Sequence, residues 1–75
     1  MQENINKQIG DRIKQLRKVE NLSQEALANI AEIERGYVNG VETGKRNVSV
    51  KILSKIIKAL NTDFVEFFND EIFKK

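Results

Sequence analysis

The residues whose chemistry stands out in this sequence lie in one short segment of helical spacing. Val38 and Val41 give the segment an apolar face, and its other face carries residues of different character, Arg35, Gly36 and Asn39. An arginine can donate two hydrogen bonds to O6 and N7 of guanine, and an asparagine can bond a base edge or a phosphate. The pattern predicts a helix that packs by its valines and offers Arg35, Gly36 and Asn39 to bases in the major groove of DNA.

These assignments have structural alternatives. Arg35 could be an ordinary solvated cation. Gly36 and Gly40 each cost about 1 kcal/mol relative to alanine inside a helix, so the backbone there must approach either DNA or a neighbouring second or fourth helix. Base contact is the better interpretation of Arg35, because it begins the segment, and the N-terminal end of a DNA-reading helix lies nearest the bases.

A second group of residues could bind the DNA backbone. Free N–H groups and the positive end of a helix at Gln24 would attract a phosphate, and the cations after Gly44 have only Glu42 as an acidic neighbour. The predicted phosphate contacts are Ser23, Gln24, Tyr37, Lys45, Arg46 and Asn47. Tyr37 could equally be a buried tyrosine bonded to backbone, and Asn47 could equally be a turn residue.

Five helices with short connections are expected to position these groups. Apolar spacing predicts a first helix over about 4–19 that ends at Asn21, followed by two helices over about 23–43 joined by a tight turn at Glu32. Ser49 should cap a fourth helix and Asp63 a fifth, over about 63–73. The second helix should turn its apolar residues inward, namely Leu27, Ile30 and Ala31. The sequence thus predicts one all-α domain over residues 1–75.

Composition narrows the function classes. The 75 residues include no cysteine and no histidine, so we expect no disulfide, no metal site, no cofactor and no enzymatic activity. There is no segment apolar enough for a membrane span and no signal peptide pattern, so a cytoplasmic protein is expected. Between residues 35 and 58 six cations face the single acid Glu42, whereas the C-terminal segment is acidic. Residues 35–58 therefore favour binding of the phosphate groups of DNA, and the acidic C-terminal segment does not.

The stretch from Ser23 to Asn47 resembles the helix-turn-helix of phage-repressor-like (Xre/Cro) regulators, and most of all restriction–modification controller proteins. Their usual pattern, Arg-x-Tyr-Ile-Ser-Gly-Ile-Glu followed by Arg-Asn and an apolar residue, appears here at residues 35–42 and 46–48. The resemblance implies a compact five-helix lambda-repressor-like fold, a base-reading role for Arg35 and phosphate contacts at Ser23 and Gln24. The chain departs from its relatives at Glu32, Gly36 and Asn39, where they carry glycine or asparagine, threonine or serine, and serine respectively.

Arg17 and Glu42 are assigned to architecture. Glu42 follows Val41 on the inner edge of the third helix, where an unpaired buried carboxylate would be costly. The resembled fold commonly pairs this glutamate with an arginine of the first helix, and Arg17 stands at the matching position. The pair would tie the DNA-reading helix to the rest of the domain.

The fifth helix is the expected dimer interface, formed by Phe64, Phe67, Phe68 and Ile72. Neighbouring side chains on a helix diverge by about 100°, so Phe67 and Phe68 cannot both face one small core. An aromatic residue left on the surface usually marks an association site, although a short chain also exposes some apolar area without function.

The function expected from these features is a homodimeric, sequence-specific transcriptional regulator that binds palindromic operator DNA. The resemblance implies activation at low dose and repression at high dose. RNA polymerase is a further expected partner, and no small-molecule ligand is expected, because the chain has no room for a ligand-sensing domain. A phage-type repressor or an antitoxin autorepressor is the alternative within this class. From another class, the fold could serve as a protein-interaction module that does not bind DNA.

Overall fold

The computed structural model describes residues 4–74, which form α-helices and one short 3₁₀ turn and, over this range, no strand. The helices are α1 (Ile5–Val19), α2 (Gln24–Ala31), α3 (Arg35–Glu42), α4 (Val50–Ala59) and α5 (Phe64–Phe68), and the 3₁₀ turn is Glu71–Phe73. The all-α fold class is therefore confirmed. No helix of the described range is both long enough and apolar enough to span a bilayer.

Three helices start at the residues that the sequence predicts as caps. The hydroxyl of Ser23 accepts a hydrogen bond from the backbone N–H of Ala26 at 3.0 Å, and Asp63 accepts one from Glu66 at 2.8 Å. Ser49 caps α4 in the same way. Each cap satisfies an otherwise free N–H and stabilises its helix by about 1 kcal/mol.

Four helices end in a left-handed residue. The φ angles are 59° at Asn21, 61° at Glu32, 78° at Gly44 and 63° at Asn61. Glutamate costs about 1 kcal/mol in this region, so the predicted turn between α2 and α3 forms at Glu32 but with some strain. Hydrogen bonds from the following residues back to the last turn of each helix, such as Lys45 N–H to the Gly40 carbonyl at 3.0 Å, close these ends.

The core lies between α1, α2, α3 and α4 and is completed by Phe67 of α5. On α2 the buried residues are Leu27, Ala28 and Ala31, whereas Ile30 is 55% exposed. The prediction that Ile30 faces inward is therefore wrong. Ala28 occupies the inward position instead, on the same helical face as Ala31.

Gly10 lets α1 and α3 come into backbone contact. A Cβ at Gly10 would lie 2.5 Å from the carbonyl oxygen of Val41 and 2.6 Å from that of Glu42. Both atoms are backbone of α3, so neither can move without moving that helix. The sequence pattern gave no signal of this close approach.

Replacing Gly10 with alanine should destabilise the domain by about 1–3 kcal/mol, because the methyl group overlaps backbone that cannot move aside. Urea unfolding followed by circular dichroism measures the effect. Gly36→Ala is the matched control, because nothing lies within 4 Å of a Cβ placed there. Equal stability of the Gly10→Ala and Gly36→Ala variants would contradict the close packing of α1 on α3.

The predicted fifth helix over 63–73 is wrong in its extent, because α5 ends at Phe68. The guanidinium of Arg12 donates to the carbonyl oxygens of Phe67 at 2.7 Å and Glu66 at 2.8 Å, which occupies acceptors near the end of the helix. Arg12 also lies 3.1 Å from a carboxylate oxygen of Asp70, and Asp70 in turn caps the 3₁₀ turn. A buried arginine of α1 thus holds the bend between α5 and this turn.

Candidate nucleic-acid interface

The outward face of α3 has the predicted composition. Val38 and Val41 are 0% and 1% exposed and pack into the core, while Arg35, Gly36 and Asn39 are all exposed. The open space around Gly36 excludes packing on another helix as the reason for this glycine. The first two turns of α3 therefore present a guanidinium, bare backbone and an amide side by side.

Gly40 makes room for Arg46 of the following loop. A Cβ at Gly40 would lie 3.3 Å from Cβ of Arg46 and 3.4 Å from its Nε. The guanidinium carbon of Arg46 lies 4.7 Å from the centre of the Tyr37 ring, which places the cation over the aromatic face. Gly40 therefore does have a packing role, as the structural alternative proposed. The group that packs against it is Arg46 of the loop, however, and not a residue of α2 or α4.

Tyr37 and Asn47 also join the loop to the helices. The hydroxyl of the half-buried Tyr37 donates to the backbone carbonyl of Asn47 at 3.4 Å. The side-chain oxygen of Asn47 accepts a hydrogen bond from Asn6 of α1 at 2.6 Å. These bonds hold the exposed cations Lys45 and Arg46 beside the C-terminal end of α3.

Arg17 and Glu42 form a two-pronged ion pair beneath α3. Arg17 Nε donates to Glu42 Oε2 at 2.7 Å and Arg17 Nη2 donates to Oε1 at 3.0 Å. The Glu42 side chain is 1% exposed, and Arg17 also donates to the carbonyl of Leu22 at 2.9 Å. The hydrogen bond to Glu42 raises the pKa of Arg17 above its ordinary value, with a smaller opposing effect of burial.

Gln24 joins this pair and was not expected to do so. Its side-chain Nε2 donates to Glu42 Oε1 at 3.0 Å, and its Oε1 lies 3.5 Å from Nδ2 of Asn39. Ser23 meanwhile uses its hydroxyl as the cap of α2. The side chain of Gln24 therefore connects the buried carboxylate to the exposed face of α3.

The aromatic residues of the C-terminal segment form one cluster that reaches from the core to the surface. Phe67 is 0% exposed, so its assignment to a dimer interface is wrong, because its ring completes the core of the single chain. Phe68 packs edge-on against Phe67 at 5.0 Å between ring centres and stacks on Phe64 at 6.5 Å. Phe64 is 40% exposed and Val65, which the sequence reasoning overlooked, is 80% exposed.

The tight turn at Glu32, the buried back of α3 and its polar front define a helix-turn-helix protein. A family model described as "Helix-turn-helix" matches residues 13–67. The control protein C.MunI of a Mycoplasma species is 42% identical over 62 residues, which are 81% of this chain and 84% of that protein.

Solved structures agree with this classification. The restriction–modification controller protein C.AhdI of Aeromonas hydrophila superposes with a TM-score of 0.83 at 39% identity, covering 88% of this chain and all of that one. The controller protein C.Esp1396I, solved as a tetramer with its natural 35 base-pair operator, superposes with a TM-score of 0.87 at 30% identity, covering 97% of this chain and 95% of that chain. The chain belongs to the helix-turn-helix family and, within it, to the restriction–modification controller proteins.

Proposed function

We propose that the chain is a cytoplasmic transcriptional regulator of the controller type, which binds a palindromic operator as a homodimer. The observation that carries this proposal is the two-faced α3, whose valines are buried while Arg35, Gly36 and Asn39 stand exposed on its front. A helix with this division fits the major groove, which is wide enough to admit it. The C.Esp1396I tetramer on its operator supports the same mode of action here.

Arg35 and Asn39 are the proposed base-reading side chains, and Gly36 brings backbone close to the bases. Arg35 is the first residue of α3, the position from which a side chain enters the groove most deeply. A guanidinium at that point suits the two acceptors of a guanine. The three residues project from one open surface, so they can meet neighbouring base pairs together.

The proposed phosphate contacts lie on both sides of α3. Lys45, Arg46 and Asn47 follow its C-terminal end, and the start of α2 at Ser23 and Gln24 offers backbone N–H groups near its front. Tyr37 contributes mainly by holding Arg46 in place through its ring. Phosphate contacts position a protein on the duplex without selecting its sequence.

The proposed dimer surface consists of Phe64, Val65, Phe68 and Ile72. Phe64 and Val65 of α5 are exposed, whereas Phe68 of α5 and Ile72 of the 3₁₀ turn are half-buried. All four lie beyond residues 35–58, where the cations are concentrated. Pairing two chains by a two-fold axis would bury this area and supply the second α3 that a palindrome requires. Contact with RNA polymerase is part of the proposed activating role.

Arg35→Ala should lower affinity for the specific operator by about 1–3 kcal/mol while binding to random DNA falls much less, because the lost bonds select a base. The operator is first selected by the wild-type chain from a random DNA library. Fluorescence anisotropy with the selected duplex and a scrambled duplex then measures both affinities over a range of salt concentrations.

Lys45→Ala is the matched control for this experiment. It should weaken both duplexes together and reduce the salt dependence by about one unit, as expected for the loss of one phosphate contact. Equal losses on both duplexes for Arg35→Ala would make Arg35 a phosphate contact only. Binding of a protein partner, with no salt-dependent affinity for any DNA, would favour the interaction-module function instead.

A further inference from the structure

The buried carboxylate of Glu42 fixes which way the amide of Gln24 points. An ionised carboxylate can only accept hydrogen bonds, so the group that faces it must be a donor. Oε1 of Glu42 accepts from Arg17 and from Nε2 of Gln24, both at 3.0 Å. The amide nitrogen of Gln24 is therefore turned inward, and its carbonyl oxygen is turned towards the front of α3.

The orientation of the Gln24 amide in turn fixes the orientation of the Asn39 amide. Nδ2 of Asn39 lies 3.5 Å from the carbonyl oxygen of Gln24, which is a long hydrogen bond. A carbonyl oxygen accepts, so Asn39 must turn its amide nitrogen towards Gln24. This leaves the side-chain oxygen of the exposed Asn39 and its second amide N–H to face outward.

We propose that Asn39 reads an adenine and that Gln24 is its positioning residue. Adenine presents an amino donor at N6 beside an acceptor at N7, which matches the outward oxygen and N–H of Asn39. Guanine would oppose that oxygen with its own O6 acceptor, thymine offers no donor, and cytosine offers only its amino group. The inference deepens the proposed function by naming the base that this position selects.

The role of Gln24 changes accordingly. A phosphate offers only acceptors, and the amide nitrogen of Gln24 already donates to Glu42, so its outward carbonyl oxygen does not suit a phosphate. Backbone N–H groups at the start of α2 still do. The Gln24 side chain thus acts through Asn39, and its loss should be felt at one base pair and not across the whole site.

The test uses the duplex that the wild-type chain selects from a random library. Wild type, Asn39→Ala, Gln24→Ala and the double variant are compared on this duplex and on duplexes in which each adenine in turn becomes purine, which lacks the amino group, or 7-deazaadenine, which lacks N7. Wild type should lose about 5- to 150-fold at one adenine per half-site. Asn39→Ala should be insensitive to both analogues at that position.

Gln24→Ala should weaken the discrimination at the same adenine alone, and the double variant should discriminate no worse than Asn39→Ala. Glu25→Ala, at the exposed neighbour of Gln24, is the control that should retain the wild-type preference. Circular dichroism checks that each variant is folded.

Sequence-selective binding in which Asn39→Ala abolishes no adenine preference would overturn the inference and leave the proposed function standing. A uniform loss for Gln24→Ala on every duplex would make Gln24 a backbone contact and overturn its positioning role. Failure of the wild-type chain to select any DNA would overturn the proposed function and the inference with it.

Discussion

Glu42→Gln is expected to lower the free energy of unfolding by about 3–5 kcal/mol, because it leaves a guanidinium without its carboxylate inside the domain. Glu42 is 1% exposed, and the Arg17 side chain is 15% exposed, so water replaces little of the lost interaction. A domain of this length has a total stability of about 4–11 kcal/mol. The substitution should therefore remove a large part of the free energy of unfolding. Urea unfolding at fixed chain concentration measures this loss.

A double substitution of Arg17 and Glu42 distinguishes the effect of an unpaired buried charge from the effect of altered packing. Arg17→Met should also destabilise, whereas Arg17→Met combined with Glu42→Leu should recover most of the loss, because well-packed apolar residues often replace a buried ion pair without penalty. Asp11→Asn is the control for an exposed pair, since Asp11 meets Lys7 on the surface of α1 and should cost at most about 1 kcal/mol.

The effect should be independent of pH near neutrality. A pKa that is raised in the folded state, as that of Arg17 is, contributes stability below the unfolded pKa and loses it only at higher pH. The ordinary pKa of arginine already lies far above neutral. Wild-type unfolding behaviour of Glu42→Gln would show that the pair does not hold α3 to α1.

Local signals in the sequence predicted much of the fold because they act within one helix. Ser23, Ser49 and Asp63 cap helices through bonds to residues three positions on, and Asn21 and Gly44 end helices by their own backbone preference. The valines of α3 could be placed by spacing alone. Such features depend on near neighbours and are visible in a single chain.

Contacts between distant residues account for what the sequence did not reveal. Arg12 ends α5 by bonding carbonyls 54 and 55 positions away, so helical spacing through residue 73 could not show the break. Gly10 is explained only by the backbone of α3 above it. The choice of Phe67 over Phe68 for the core likewise depends on the angle at which α5 meets the other helices.

The hydrogen bonds that link Glu42 through Gln24 to Asn39 also join residues that are distant in sequence. Gln24 looks like a phosphate contact when only its place at the start of α2 is known. Its actual partner, Glu42, is 18 residues away and is itself fixed by Arg17. The resemblance to controller proteins indicated the ion pair, but it could not show the contact between Gln24 and Asn39.

Val65→Asp is expected to convert the dimer into monomers and to lower operator affinity by about 10²- to 10⁴-fold, because each half-site would then have to be bound separately. Val65 is 80% exposed in the single chain, so an aspartate there should leave the monomer folded. In a dimer joined at α5 the new carboxylate would be buried without a partner, which is costly. Phe67 and Phe68 are poorer test sites, since their rings pack on each other and changing either disturbs folding.

Sedimentation equilibrium at micromolar concentration and anisotropy with the selected operator measure the two effects, and circular dichroism verifies the helical content. Val19→Asp is the control, because Val19 is also an exposed valine, with 71% of its surface accessible, and it lies at the end of α1 and outside the proposed dimer surface. It should remain dimeric and bind the operator. If the Val65→Asp chain also stays dimeric, the two chains meet on another face. A palindromic site requires the two α3 helices to lie about 34 Å apart. In that case contacts on the other face, and not contacts at α5, would fix this spacing.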